Sequence, residues 1–301
     1  MFYSFKDKFN RWRFADRVKS VLISPPVLTC EDTNLIVLSQ LQHKDVLMYL
    51  AAVKSFARQV PPGVVHVVDD GSLTSEDRAL LVQHVPGVQF HALADCREPG
   101  LPIGGTWERL TAIARLSETH YVIQLDADTL TMGPIDEVAA AVWANQAFTI
   151  GTWNGQVIES ARERAAQTRA RNATFTHVQM RAEAHFDRLN EIDTLKYVRG
   201  CSGFAGFPAG SGKLELMRRL SSQMQQIIGD KWNEWGSEQV MSNLVVANQP
   251  NAQVLPHPDY TDCEKMQPDT TRFVHFIGTC RFRGGHYAGM INSMDWSKLP
   301  S

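Results

Sequence analysis

Apolar residues fall in short blocks along most of the chain, separated by stretches of helical spacing and by polar turns. Asn34 to Ser39 (NLIVLS) is a continuous apolar run of strand length, which predicts a buried strand. Lys44 to Arg58 sets Val46, Leu50 and Val53 on one side of a helix. Pro61-Pro62-Gly63 ends that helix, and Val64 to Val68 predicts a second strand running into Asp69-Asp70-Gly71-Ser72. Thr74 and Asp77 have the spacing of a capping box and open another helix. Val88 to Leu93, Trp107 to Leu116 and Tyr121 to Leu125 then predict strand, helix and strand. Such alternation makes an α/β fold, a mainly parallel sheet with helices on both faces. Ligands of such sheets bind beyond the carboxyl ends of the strands.

Two regions break the pattern. In residues 1–19, Phe2, Phe5, Phe9 and Trp12 recur at helical intervals among Lys6, Lys8, Arg11, Arg13, Arg17 and Lys19. As a helix, this segment suits a membrane interface or docking on the protein's own core. Ser24-Pro25-Pro26 reads as a linker. Residues 1–30 are therefore expected to form an N-terminal segment, and residues 31–301 a single domain. Residues 159–195, rich in Arg, Ala, Gln and Glu, are expected as an inserted pair of exposed helices.

Composition narrows the class. With 44% hydrophobic residues in 301, the chain can build a sizeable core. Thirty basic against 32 acidic residues give a net charge of −2, which argues against broad nucleic-acid binding. The five cysteines are scattered without a CxxC pair, which points to free thiols in a reducing compartment. No apolar run reaches the length of a membrane span, and the N-terminus has no signal-like apolar core. The expected location is the cytoplasm, with peripheral contact at the inner membrane face through residues 1–19.

The chemistry gathers at strand ends. Asp126-Ala127-Asp128 directly follows the apolar strand Tyr121–Leu125. Two carboxylates so spaced can share one hard cation, which commonly also binds substrate phosphate. Turn aspartates also bond their own backbone. His275 lies in a predicted strand, Thr271–Gly278, and its imidazole would shift preference from Mg²⁺ towards Mn²⁺. Gly278, Arg281 and Arg283 follow, the parts of a phosphate-binding loop.

These motifs, in this order, resemble glycosyltransferase family 8, whose members have the GT-A fold, over about residues 34–285. Arg109-Leu110 is similar to the family's YxRL helix motif, and Asp126-Ala127-Asp128 to its YLDxD. Ser202-Gly203 is similar to part of FNxG, and Glu238-Gln239 with Asn243 to DQDxxN. His275-x-x-Gly278-x-x-Arg281 is similar to HxxGxxK. The chain departs from the family in Gln40 to His43 after the first strand, in Cys201 and in Val240.

The resemblance implies a Rossmann-like GT-A transferase that binds a nucleotide-diphosphate sugar, of UDP type, and a glycan or lipid-linked acceptor. Asp126, Asp128 and His275 would hold Mn²⁺ or Mg²⁺ against the donor diphosphate. Gly278 and Arg281 would contact its phosphates. Ser39, Asp69, Asp70, Arg109 and Ser202 would bind the rest of the donor, and Glu238 and Gln239 would flank the anomeric carbon. Transfer would retain configuration. Two rivals stand beside it. One is a haloacid-dehalogenase-type phosphatase: Asp126-Ala127-Asp128-Thr129 resembles its DxDxT, with Asp126 as nucleophile, and Ile227-Ile228-Gly229-Asp230 mimics a later metal motif. The other is a non-catalytic sugar-nucleotide-binding protein on the same fold.

Overall fold

The computed structural model describes residues 2–171 and 176–297, with side chains from residue 9 onward. In chain order the elements are α1 (Phe2–Arg17), β1 (Leu35–Leu41), α2 (Val46–Ala57), β2 (Val64–Asp69), α3 (Ser75–His84) and β3 (Gln89–Ala92). Then come α4 (Trp107–Leu116), β4 (Tyr121–Leu125), β5 (Thr129–Thr131), α5 (Asp136–Trp143), β6 (Phe148–Ile150) and β7 (Glu159–Ser160). Next are α6 (Ala161–Ala170), α7 (Val178–Glu183), β8 (Lys196–Tyr197), β9 (Cys201–Phe207) and α8 (Lys213–Ile228). The chain closes with α9 (Ser237–Ala247), β10 (Gln253–Leu255), β11 (Tyr260–Asp262), β12 (Phe273–His275) and α10 (His286–Ser293).

These elements form two compact units. The first comprises residues 1–92, 125–139 and 258–301. In it β1, β2 and β3 lie side by side, parallel throughout, with Leu41 opposite Asp69 and Asp69 opposite Ala92. Every side chain of β1 is buried except the half-buried Gln40, as the apolar run predicts for a strand covered on both faces. Between β2 and β3, Thr74 and Asp77 make the predicted capping box in full at the start of α3. A second sheet orders β11-β12-β5, with β12 parallel to β11 and antiparallel to β5.

The N-terminal segment belongs to this unit and docks by a different face than its aromatic spacing suggests. Phe14 and Val18 are buried, whereas Phe9 and Trp12 are 54% and 64% exposed. Phe14 packs against Phe282 and Tyr287 at 5.9 and 5.2 Å between ring centres, and Arg11 pairs with Asp45 at 3.0 Å. The side chains of Phe2, Phe5, Lys6 and Lys8 lie outside the described residues. Buried Lys54 on α2 holds the following stretch, donating to Val21 O, Ser24 O, Ser24 Oγ and Pro25 O. Burial brings its ammonium down to about 8.

The second unit, residues 93–124 and 140–257, orders its strands β10-β6-β9-β4. β10 and β6 are parallel, and β6 and β9 antiparallel. Helices form at 161–170 and 178–183 as expected, but they are not simply exposed. Glu183 is fully buried and accepts hydrogen bonds from Tyr197 Oη at 3.0 Å, Arg199 Nε at 2.9 Å and Thr168 Oγ1 at 3.3 Å. The polar composition conceals this packing because the buried contacts are themselves polar. α8 runs as its apolar period predicts and stops at Gly229, whose φ of 60° suits a helix end. The helices and mainly parallel strands of both units make this an α/β fold.

The thiols do not all stay free. Cys263 and Cys280 are disulfide-bonded, while Cys30, Cys96 and Cys201 are free. Their separation of 17 positions carries no pairing signal in sequence. β11 and β12, lying side by side, carry the two flanking loops together.

Candidate metal centre

In the first unit, the DxD and the distant histidine meet through strand register. Asp126 and Asp128 occupy the turn between β4 and β5, braced by Thr129 Oγ1 donating to Asp126 O at 2.9 Å. β5 pairs antiparallel with β12 so that Thr129 stands opposite His275. Phe276 N then donates to Asp128 O at 2.8 Å. Asp128 and His275 are thus neighbours across a ladder, although 147 positions separate them in sequence.

His275 Nε2 lies 3.1 Å from Asp128 Oδ1 and 3.7 Å from Asp126 Oδ2. One ligand atom from each of the three falls within 4.8 Å of the others. A cation with bonds of about 2.1 Å keeps its ligand atoms roughly 3–4.3 Å apart, so this donor set fits a small divalent ion. Two carboxylate oxygens and an imidazole nitrogen are the donor types of a divalent-cation site.

Arg281 Nε donates to Asp128 Oδ2 at 2.6 Å. Burial alone would raise the Asp128 carboxyl, but the His275 imidazole and the Arg281 guanidinium outweigh it and hold it at about 2. Asp128 is therefore a carboxylate at every physiological pH. Arg281 sits in a short 3-10 turn, Gly278–Arg281, that Gly278 opens at φ 54°. The Cys263–Cys280 bridge anchors that turn.

Other residues singled out in the sequence of this unit are held by hydrogen bonds of their own. Ser39 Oγ, fully buried, donates to Leu125 O at 2.5 Å. Asp69 Oδ1 accepts from Gly71 N and Leu73 N, and its other oxygen from Arg78. Asp70 Oδ1 accepts from the amide and hydroxyl of Ser72. The turn after β2 is thus built by its own aspartates.

In the second unit, Arg109 on α4 and Glu238 in the first turn of α9 form an ion pair at 3.2 Å, with side chains 5% and 3% exposed. Thr106, in a left-handed conformation before α4, also donates to Glu238 at 3.0 Å. Gln239 Nε2 donates to Gly200 O at 3.2 Å, as does Asn243 Nδ2 at 3.1 Å. Ser202 Oγ lies 3.5 Å from Gln239 Oε1. Trp232 is fully buried, and Trp235 and Trp153 are 73% and 40% exposed. The Arg109–Glu238 pair has no local signature, because its partners come from helices far apart in sequence. Ile227-Ile228-Gly229-Asp230 ends α8, not a strand as the phosphatase pattern requires.

No protein-family model matches the chain, and no curated protein sequence matches it. Solved structures do. The bifunctional glycosyltransferase WbbM aligns at TM-score 0.54 and 12% identity, over 90% of this chain and 52% of its own. An active-site mutant of LgtC aligns at TM-score 0.51 and 12% identity, over 86% of this chain and 96% of its own. Mouse xyloside xylosyltransferase 1 aligns at TM-score 0.46 and 16% identity, over 83% and 98%. The chain therefore has the fold of the GT-A glycosyltransferases.

Proposed function

We propose that this protein is a metal-dependent glycosyltransferase that moves a sugar from a nucleotide-diphosphate donor to a glycan or lipid-linked acceptor. The observation that carries the reading is the meeting of Asp126, Asp128 and His275 at the end of β4, beside Arg281. LgtC, which shares the fold, has been solved with donor and acceptor sugar analogues, and a core-mannan synthase in a Mn/GDP form.

When bound, Mn²⁺ or Mg²⁺ supplies Lewis-acid stabilisation of charge on the departing diphosphate. The protein's own part is to hold Asp128 ionised, to set Asp126 and His275 beside it, and to place Arg281 and the Gly278 turn for phosphate oxygens. Arg281 keeps its charge throughout, since Asp128 and its other acidic neighbours raise its affinity for its proton against the effect of burial. On the sequence resemblance, Glu238 and Gln239 stabilise the developing sugar cation, Arg109, Ser202, Ser39, Asp69 and Asp70 contact the donor, the base is uracil, and configuration is retained.

The test is release of nucleoside diphosphate from a panel of nucleotide sugars with and without Mn²⁺, for wild type and Asp128→Asn. Loss of one preorganised electrostatic group predicts a fall of roughly 10²–10³-fold. A panel turned over equally by wild type and Asp128→Asn, or unaffected by chelation of the metal, would refute the proposal.

A further inference from the structure

Beside the metal centre, in the same unit, the N-terminal helix roofs a cavity of about 180 Å³. Arg13, Phe14 and Arg17 of α1 line it from one side, and Arg281, Phe282 and the Gly284-Gly285 pair from the other. Three guanidinium groups border this space, and among the described residues no carboxylate does. Asp45 pairs with Arg11 and Asp16 with Lys19, while Asp128 holds the Nε of Arg281, so Arg281 brings a shared charge to the cavity and Arg13 and Arg17 bring theirs from the helix.

The backbone adds to the same sign of charge. Gly284 and Gly285 take φ of 61° and 71°, and α10 begins directly after them, with Ala288 of its first turn on the cavity wall. First-turn amides have no acceptor within their own helix and favour an anion. A Cβ built on Gly285 would collide with Arg17 Nη1, so the glycine lets that guanidinium lie against the helix start. Asn10 contributes a neutral amide, and the rings of Phe14 and Phe282 wall the space. Arginine is the side chain whose planar fork matches phosphate oxygens.

We infer that this cavity is a binding site for a phosphate group, carried by a soluble phosphate ester or by a phospholipid head group. Phe9 and Trp12, exposed on the same helix, are placed to meet a lipid surface if the head group is the source. The cavity borders the metal cluster through Arg281, which the transferase reading also uses, but Arg13 and Arg17 have no part in that reading. The test therefore varies only these two and needs neither a divalent ion nor a nucleotide, so its outcome is separable from that of the transferase reading.

The experiment titrates the full chain, chelated and without nucleotide, with inorganic phosphate by calorimetry at low ionic strength. Wild type, Arg13→Gln/Arg17→Gln and Arg13→Lys/Arg17→Lys are compared. Arg13 and Arg17 are exposed, so melting temperature serves as the folding control. One saturable phosphate site is expected in wild type. Losing two charge-assisted forks predicts affinity weakened about 10- to 100-fold in the glutamine variant, with the lysine variant in between. A second arm measures co-sedimentation with phosphatidylcholine vesicles and with vesicles containing phosphatidic acid. Arginine-dependent sedimentation on the acidic vesicles alone, relieved by inorganic phosphate, supports the site and assigns a lipid source. Phosphate binding without sedimentation supports the site and assigns a soluble ester. Equal phosphate affinity in wild type and the glutamine variant, or no saturable binding in wild type, overturns the inference.

Discussion

Removing charge from one partner of the Arg109–Glu238 pair tests whether Glu238 first serves the fold. Both side chains are almost fully buried and 3.2 Å apart, so neither charge can fall back on water. Glu238→Gln keeps the shape and removes the carboxylate charge that Arg109 faces at 3.2 Å. Breaking a buried pair in this way costs about 3–5 kcal/mol. At roughly 2–4 °C per kcal/mol, the melting temperature should fall roughly 6–20 °C. Arg109→Met should cost a similar amount at neutral pH, but its penalty should shrink in acid. There the carboxylate that remains can take a proton, whereas the guanidinium that remains in Glu238→Gln cannot shed its charge. The double variant should be at least about 1 kcal/mol more stable than the sum of the singles predicts. Urea melts of all four proteins at pH 5 and pH 7.5 measure these differences. Single losses below about 1 kcal/mol that simply add would refute the argument, and Glu238 would then be free for chemistry alone.

Asp128 sets a pH dependence in the metal-free protein. Its carboxyl is held well below the ordinary carboxylate range by His275 and Arg281, so its share of stability is present above the ordinary value of about 4 and is lost as pH falls below it. Asp128→Asn should flatten that part of the acid-unfolding profile, and a variant profile parallel to wild type would contradict it. Reducing the Cys263–Cys280 bridge opens a loop of 17 residues, for which chain entropy predicts about 3 kcal/mol; Cys263→Ser/Cys280→Ser should match wild type in dithiothreitol and fall below it without reductant. Glu183→Gln removes the charge that Arg199 requires at a fully buried site, and should destabilise by about 2–4 kcal/mol, read by thermal melting.

How much of this was legible in the sequence follows from the range of each interaction. The β1, α2 and β2 run, the Thr74–Asp77 capping box and the end of α8 at Gly229 depend on neighbours within a turn or two, and the pattern shows them. The approach of His275 to Asp126 and Asp128 was legible only through ordered motifs, since the β5–β12 register that creates it is not a local property. Asp69 committed to its own turn, Arg281 bound to Asp128, and Cys263 joined to Cys280 left no trace in spacing. The face by which α1 docks is not legible for a related reason. Phe9, Trp12 and Phe14 are equally apolar in sequence, and only the position of Phe282 and Tyr287 selects Phe14 for burial.

The β5–β12 ladder acts as a gauge between the acids and the imidazole. Side chains alternate faces along a strand, so a slip of one position would turn His275 away from Asp126 and Asp128 while leaving every residue in place. The chain between β11 and β12 can lengthen without disturbing that alignment, whereas one residue added between Asp128 and Thr131 would break it. A search for chains able to form the same centre should therefore hold the DxD-to-strand spacing fixed and let the distance to the histidine vary.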